Sequence, residues 1–70
     1  MINDQCTYQI ILHGRVEAAD LLPYAPPGLT VHQDETGRAI LTVRTDQSGL
    51  VGLIRLLHGL GLAIHSIISR

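Results

Sequence analysis

The stretch TDQSGLVGLIRLLHGLGLAIHSI, residues 45–67, contains the most regular pattern of this 70-residue chain. Its start predicts a helix, because the carboxylate of Asp46 can accept hydrogen bonds from the free amides at Ser48 or Gly49. Gly61 suits the left-handed conformation that often ends a helix. The residues that follow predict a strand over residues 62–68. The stretch therefore predicts a helix followed by a strand.

The apolar side chains of this predicted helix form one broad arc, which predicts packing against a sheet. Its members are Leu50, Leu53, Ile54, Leu56, Leu57 and Leu60. The arc is wider than covering half of a small sheet requires. We take the excess as an indication of contact with a protein partner.

Three further strands and a short helix are predicted upstream. Residues 7–16 alternate in the manner of a strand. Residues 17–28 begin with helix formers, and Pro23 limits that helix to about a turn and a half. Two alternating runs, residues 29–33 and 38–45, flank the polar turn DETG and predict a hairpin.

The order strand, short helix, strand, strand, helix, strand predicts an α+β fold. We expect the ferredoxin-like βαββαβ two-layer sandwich with a short first helix and the strand order 4-1-3-2. Residues 1–70 should form one domain, with residues 1–6 as a polar lead-in. The helices would then cover one face of the sheet and leave the other open. The expected core consists of Leu50, Leu53, Ile54, Leu57 and Leu60 from the helix and Tyr8, Ile10, Leu12, Leu41, Val43, Leu62 and Ile64 from the sheet.

The charge and the size of the chain restrict its partners. Five arginines, no lysine and six acids give a net charge of −1. This balance argues against nucleic-acid binding, which needs a basic face to neutralise phosphates. A domain this small usually gains stability from disulfides, metal or association with another chain. We therefore expect a homo-oligomer, with a dimer favoured, and leave a larger protein partner open.

The location of the protein is predicted from its cysteine content and its hydropathy. Cys6 is the one cysteine, so it cannot form an internal disulfide, and a free thiol fits a reducing compartment. The start MINDQCTY lacks the pattern of a secretory signal. The apolar runs are too short to cross a bilayer. We expect a cytoplasmic protein without membrane contact.

Histidines and arginines are expected on the open face of the sheet. Alternation along the strands points His13, Arg15, His32, Arg44 and His65 away from the helices. Neutral imidazole suits zinc or copper. However, no HxxxH, CxxC or carboxylate partner lies at ligand spacing, so we expect no metal and no cofactor.

Apolar side chains share that face and make it a candidate interface. The predicted interface residues are Ile11, His13, Ile40, Thr42, His65 and Ile67. Mixed apolar and polar surfaces of this kind are typical of protein interfaces. Association would use the sheet face or an edge strand, and Arg15 or Arg44 would hold an anionic ligand there. The alternative is a partly solvated sheet.

The helix start at Asp46, Ser48 and Gly49 is a second candidate for ligand binding. Free amides and the positive end of the helix dipole suit a carboxylate or phosphate. Asp46 competes for those same amides, which favours a cap that serves only its own helix. No nucleophile motif surrounds Cys6 or the serines, so we do not expect an enzyme.

The segment from Asp46 resembles ACT domains, in which an acid, a small residue and Gly-Leu precede a helix that leads into a G-[LI]-x-I strand. The matching residues are Asp46, Ser48, Gly49, Leu50, Gly61, Leu62 and Ile64. ACT domains are small regulatory modules that dimerise side by side and often bind amino acids at the interface, so the resemblance implies such a role. In ACT domains the turn follows the first strand, whereas here it follows the third predicted strand.

The whole chain also resembles a group of short uncharacterised bacterial proteins with a Y-x-I-x-x-x-G strand and a D-Q-x-x-L-x-G-L…L-G-L-x-I segment. The matching residues are Tyr8, Ile10, Gly14, Asp46, Gln47, Leu50, Gly52, Leu53, Leu60, Gly61, Leu62, Ile64 and Ser66. This resemblance implies no activity. The sequence predicts a non-catalytic, self-associating binding, regulatory or adaptor module. The alternative is an ACT-like sensor of an amino acid or small anion at a dimer interface.

Overall fold

The computed structural model describes residues 5–70 and has a small α+β fold, with a four-stranded antiparallel sheet and two helices. The elements are β1 (Cys6–His13), α1 (Ala18–Leu21), β2 (Thr30–Gln33), β3 (Ala39–Thr45), α2 (Gln47–Gly59) and β4 (Ala63–Ser69). A 3-10 turn, Leu22–Tyr24, directly follows α1. Residues 1–4 of the predicted lead-in lie outside the described residues. Cys6, which was also predicted to belong to the lead-in, belongs to β1 instead.

The sheet has the strand order β2-β3-β1-β4, and each neighbouring pair is antiparallel. Leu41 of β3 lies opposite both Ile10 of β1 and Val31 of β2. This register confirms the predicted hairpin between β2 and β3. His13 of β1 and His65 of β4 lie on neighbouring strands.

The core forms where α1 and α2 pack on one face of the sheet. Its fully buried large side chains are Ile10, Leu12, Leu21, Leu41, Val43, Leu53 and Leu57. The predicted core residue Leu60 is 48% exposed, because α2 ends at Gly59 and Leu60 is its C-cap. Tyr24, at the end of the 3-10 turn, does not join this core and is 73% exposed.

β1 ends at His13, three residues before the end of the predicted strand at residue 16. Gly14 has φ +88°, a left-handed conformation that ends the extended backbone after His13. Arg15 therefore leaves the sheet, and its predicted position on the open face is wrong. It lies in the loop before α1 and is exposed.

A β-bulge in β4 changes which of its side chains share a face. Ile11 pairs with Ser66, but Leu12 pairs with Ile64, so His65 is an extra residue between them. Paired residues on neighbouring strands face the same side. Ile67 lies opposite the buried Ile10 and so belongs to the helix side of the sheet. Its predicted position on the open face is wrong.

Candidate functional site

The face of the sheet opposite α1 and α2 is the main candidate site, and we call it the open face. The strand registers assign to it Thr30 and His32 of β2, Ile40, Thr42 and Arg44 of β3, Thr7, Gln9, Ile11 and His13 of β1, and Ala63, Ser66 and Ile68 of β4. These positions alternate with buried ones such as Ile10 and Leu41. No described helix covers them.

Two rows of side chains cross all four strands of the open face. One row is His32, Ile40, Ile11 and Ser66, and the other is Thr30, Thr42, Gln9 and Ile68. The central pair, Ile11 and Ile40, is half-buried by neighbouring side chains alone. Ile68 at the β4 end is 44% exposed. The centre of the face is therefore apolar, and polar groups surround it.

Two histidines meet at one end of the open face. The ring centroids of His13 and His65 are 4.9 Å apart, and the rings cross at 72°. Nδ1 of His65 lies 3.2 Å from the hydroxyl oxygen of Ser66. Within residues 5–70, no group of three or more histidine, cysteine or acidic side chains converges in a way that could hold a metal ion. Two imidazoles alone do not complete the three or four protein ligands of a typical zinc site.

The two arginines proposed for an anionic ligand lie at different ends of the molecule. Arg44 is exposed on the open face, opposite Thr7 near the start of β1. Arg15 lies beyond the other end of β1 and borders a groove of about 400 Å³. The structure does not combine these two arginines into one site. The groove at Arg15 is lined by Arg15, Val16, Glu17, Asp20, Leu21, Leu60 and Leu62.

The predicted helix start is observed, and its polar groups bond to one another. Oδ1 of Asp46 accepts from the backbone N–H of Gly49 at 2.8 Å and from the Ser48 hydroxyl at 2.9 Å. These bonds, led by the Gly49 N–H, lower the pKa of Asp46 from its usual 3.8. An external anion would have to displace a carboxylate from the same donors, so the cap reading is the stronger one.

A second groove, of about 530 Å³, runs between α2 and β4 on the helix side of the sheet. It is lined by Ile54, Arg55, His58, Gly59, Leu62, Ala63 and Ile64. The sequence pattern alone does not predict this groove. The available signal was Arg55 and His58, two polar residues that lie next to Ile54 at one edge of the apolar arc of α2.

The remaining observations concern the whole described chain. Across residues 5–70, no helix combines the length and the apolar character that crossing a bilayer needs. The chain belongs to the family described as Domain of unknown function (DUF8691), whose model matches residues 7–68. Comparisons with curated proteins and with solved structures gave no match. The match runs from β1 into β4, so it includes both the open face and the grooves.

Proposed function

We propose that this DUF8691 member is a non-catalytic, self-associating binding module that acts as an adaptor or regulator. The observation that carries the proposal is the open face, with Ile11 and Ile40 opposite each other at its centre and no described helix over them. An apolar centre inside a polar rim is the usual composition of a protein interface. We assign this face to contact with a second copy of the chain.

The small size of the chain supports association. A standard interface buries about 800 Å² on each partner. The accessible surface of this chain is 4755 Å², so such a contact would occupy about a sixth of it. Each Å² of apolar surface removed from water contributes about 25 cal/mol. Because a small chain buries little apolar surface on folding, burial of the open face would add a large share to its stability.

We also propose the ferredoxin-like sandwich as the finer description of the fold. The support is the element order strand, helix, strand, strand, helix, strand. A further support is the strand order, which is β4-β1-β3-β2 when it is followed from the β4 edge. In this description the short α1 leaves part of the sheet thinly covered.

The test of open-face association replaces its central isoleucines with acids. Ile40→Asp and Ile11→Asp should lower the mass in solution measured by light scattering, because each variant places charges at the centre of the contact. Leu22→Asp is the matched control, since Leu22 is exposed on another part of the surface. Circular dichroism should show the same fold in all variants. A wild-type protein of 7.6 kDa at every concentration would contradict self-association, and unchanged mass in both isoleucine variants would contradict the open-face contact.

A second candidate function is an ACT-like sensor of a small zwitterion. The groove at Arg15 favours it, because a cation and two acids, Glu17 and Asp20, surround an apolar floor. An arginine suits a carboxylate, and the acids suit an ammonium group. The apolar lining would take an aliphatic side chain.

Thermal-shift screening against the common amino acids tests the sensor. An apolar amino acid should raise the melting temperature of the wild type. Arg15→Gln should abolish the shift, whereas Arg44→Gln, at the other end of the sheet, should keep it. No shift with any amino acid would exclude this candidate.

A further inference from the structure

The two edge strands of the sheet differ in how well they are protected from pairing. Edge strands expose unpaired backbone groups, and natural proteins protect them by shortness, charge or proline. β2 has only four residues and continues into the acidic hairpin loop. β4 has seven residues, AIHSIIS, without proline, arginine, lysine or acid. Its Ile67 and Ile68 are 40% and 44% exposed.

The hydrogen bonds of β4 show which backbone groups point to the free edge. The N–H of Arg70 donates to the carbonyl of Thr7 at 2.7 Å. Antiparallel ladders alternate between bonded and non-bonded pairs. Because Arg70 bonds to β1, this alternation makes Ile68 the next residue whose N–H and C=O groups point toward β1. The N–H and C=O groups of Ile67 and Ser69 point away from β1. The free edge therefore has ordered donors and acceptors two residues apart.

We propose that a second copy of this chain pairs with the β4 edge in antiparallel orientation, with Ile68 at the two-fold axis. Ile67 then exchanges backbone hydrogen bonds with Ser69 of the partner subunit, and Ser69 does so with the partner's Ile67. The two sheets join into one of eight strands. This inference rests on the proposed self-association and adds a second interface, formed by the backbone of the β4 edge, beside the open face.

The pairing register is supported by the residues that it brings together. Arg70, the one charged residue of the paired segment, lies opposite Ser66 of the partner subunit, so no like charges meet. Ile68 forms a non-bonded pair with its own copy, with Cα atoms about 4.5 Å apart. The bulge at His65 stays outside the paired segment. A second copy therefore fits this edge without disturbing the existing ladder.

The surface beside the edge supplies apolar area that strand pairing alone lacks. On the helix side, Ile67 continues the apolar lining that Ile54 and Ile64 give to the groove between α2 and β4. Pairing at β4 brings a second α2 next to this groove. On the other side, Ile68 extends the apolar centre of the open face. Both exposed isoleucines of β4 become covered.

The edge pairs through the backbone of β4 and the open face through side chains centred on Ile11 and Ile40, so both can be occupied at once, with Ile68 at their common border. Ile40→Asp removes the open-face contact and should leave a dimer of twice the chain mass. Adding Ile68→Asp should convert this dimer to single chains, because two carboxylates then meet at the two-fold axis. Adding Ile68→Asn instead is the neutral control and should weaken the dimer less.

Amide hydrogen exchange, measured by NMR on Ile40→Asp, reports the edge directly. We expect the amides of Ile67 and Ser69 to be protected to a degree similar to that of Ile68, and to lose protection in Ile40→Asp/Ile68→Asp. Ile67 and Ser69 amides that exchange without protection would overturn the edge pairing. A single-chain mass for Ile40→Asp beside an oligomeric wild type would also overturn it while the proposed function stands. A single-chain wild type would overturn both.

Discussion

At the scale of single residues, two glycines of α2 have opposite surroundings. Thr45 is buried, and a Cβ on Gly49 would overlap its side-chain oxygen. A Cβ on Gly52 would meet nothing within 4 Å. Gly52→Ala should therefore raise the free energy of unfolding by about 0.5–1 kcal/mol, the usual gain of alanine in a helix. Gly49→Ala should lower it by about 1–3 kcal/mol through overpacking. Urea denaturation measures both changes.

The overlap at Gly49 can be separated from any other effect of the substitution. Thr45→Ala removes the oxygen that a new Cβ would meet. The loss caused by Gly49→Ala should therefore be smaller in the Thr45→Ala background than in the wild type. Equal losses in the two backgrounds would contradict this explanation, because the two changes would then be independent.

Asp46 should make the stability of the protein depend on acid pH. Its folded-state pKa is lowered below the usual 3.8, first by the Gly49 N–H and then by the Ser48 hydroxyl. The stabilisation is complete above the unfolded-state pKa and is lost as the pH falls through the folded-state pKa. Asp46→Asn keeps a cap that does not titrate.

The measurement for this prediction is the urea midpoint as a function of pH. As the pH falls below 3.8, the urea concentration at the unfolding midpoint should decrease more for the wild type than for Asp46→Asn. Asp34 also has a lowered pKa, caused first by the Thr36 hydroxyl and next by the Arg38 N–H, and it is unchanged in both proteins. Parallel pH profiles for the two proteins would contradict the role of Asp46.

At the scale of elements, the sequence predicts the strands and α2 well because their periods are regular. The N-cap at Asp46 and the stop at Gly61, with φ +77°, are local and depend on residue type alone. The face of Ile67 could not be predicted, because a period of two fails across a bulge. Arg15 leaves the sheet because of the backbone conformation at Gly14, and the alternation of apolar and polar residues does not reveal that conformation. The groove beside β4 depends on how closely two elements pack.

The bulge in β4 gives a prediction at the same scale. Deleting His65 removes the extra residue and keeps the pairs Ile11–Ser66 and Leu12–Ile64 in register. We expect this variant to unfold cooperatively, as the wild type should. Deleting Thr42 from the regular strand β3 moves one part of that strand to the opposite face. That variant should lose its cooperative transition.

Thermal unfolding followed by circular dichroism compares the two deletions. A cooperative transition for the His65 deletion and none for the Thr42 deletion is the expected result. If the His65 deletion also lost its transition, the extra residue would be required for packing. The description of β4 as two regular parts joined by a bulge would then be wrong.

At the scale of the whole molecule, stability and association are linked. A domain of this size hides only about 60% of its unfolded surface, and its open face and β4 edge leave further apolar groups exposed. A second copy that binds only the native state adds stability that grows with the logarithm of its concentration, about 2.7 kcal/mol at a hundred times the dissociation constant. The melting temperature of the wild type should therefore rise as the protein is concentrated.

Variants of the open face and of the β4 edge show how much each contact contributes to the rise in melting temperature with concentration. Ile40→Asp should keep a smaller concentration dependence, because the β4 edge still pairs. Ile40→Asp/Ile68→Asp should melt at one temperature at all concentrations, because neither contact remains. A wild-type melting temperature that stays constant over about a hundredfold range in concentration would exclude stabilisation by association. The exposed isoleucines would then be ordinary surface of a chain that is stable alone.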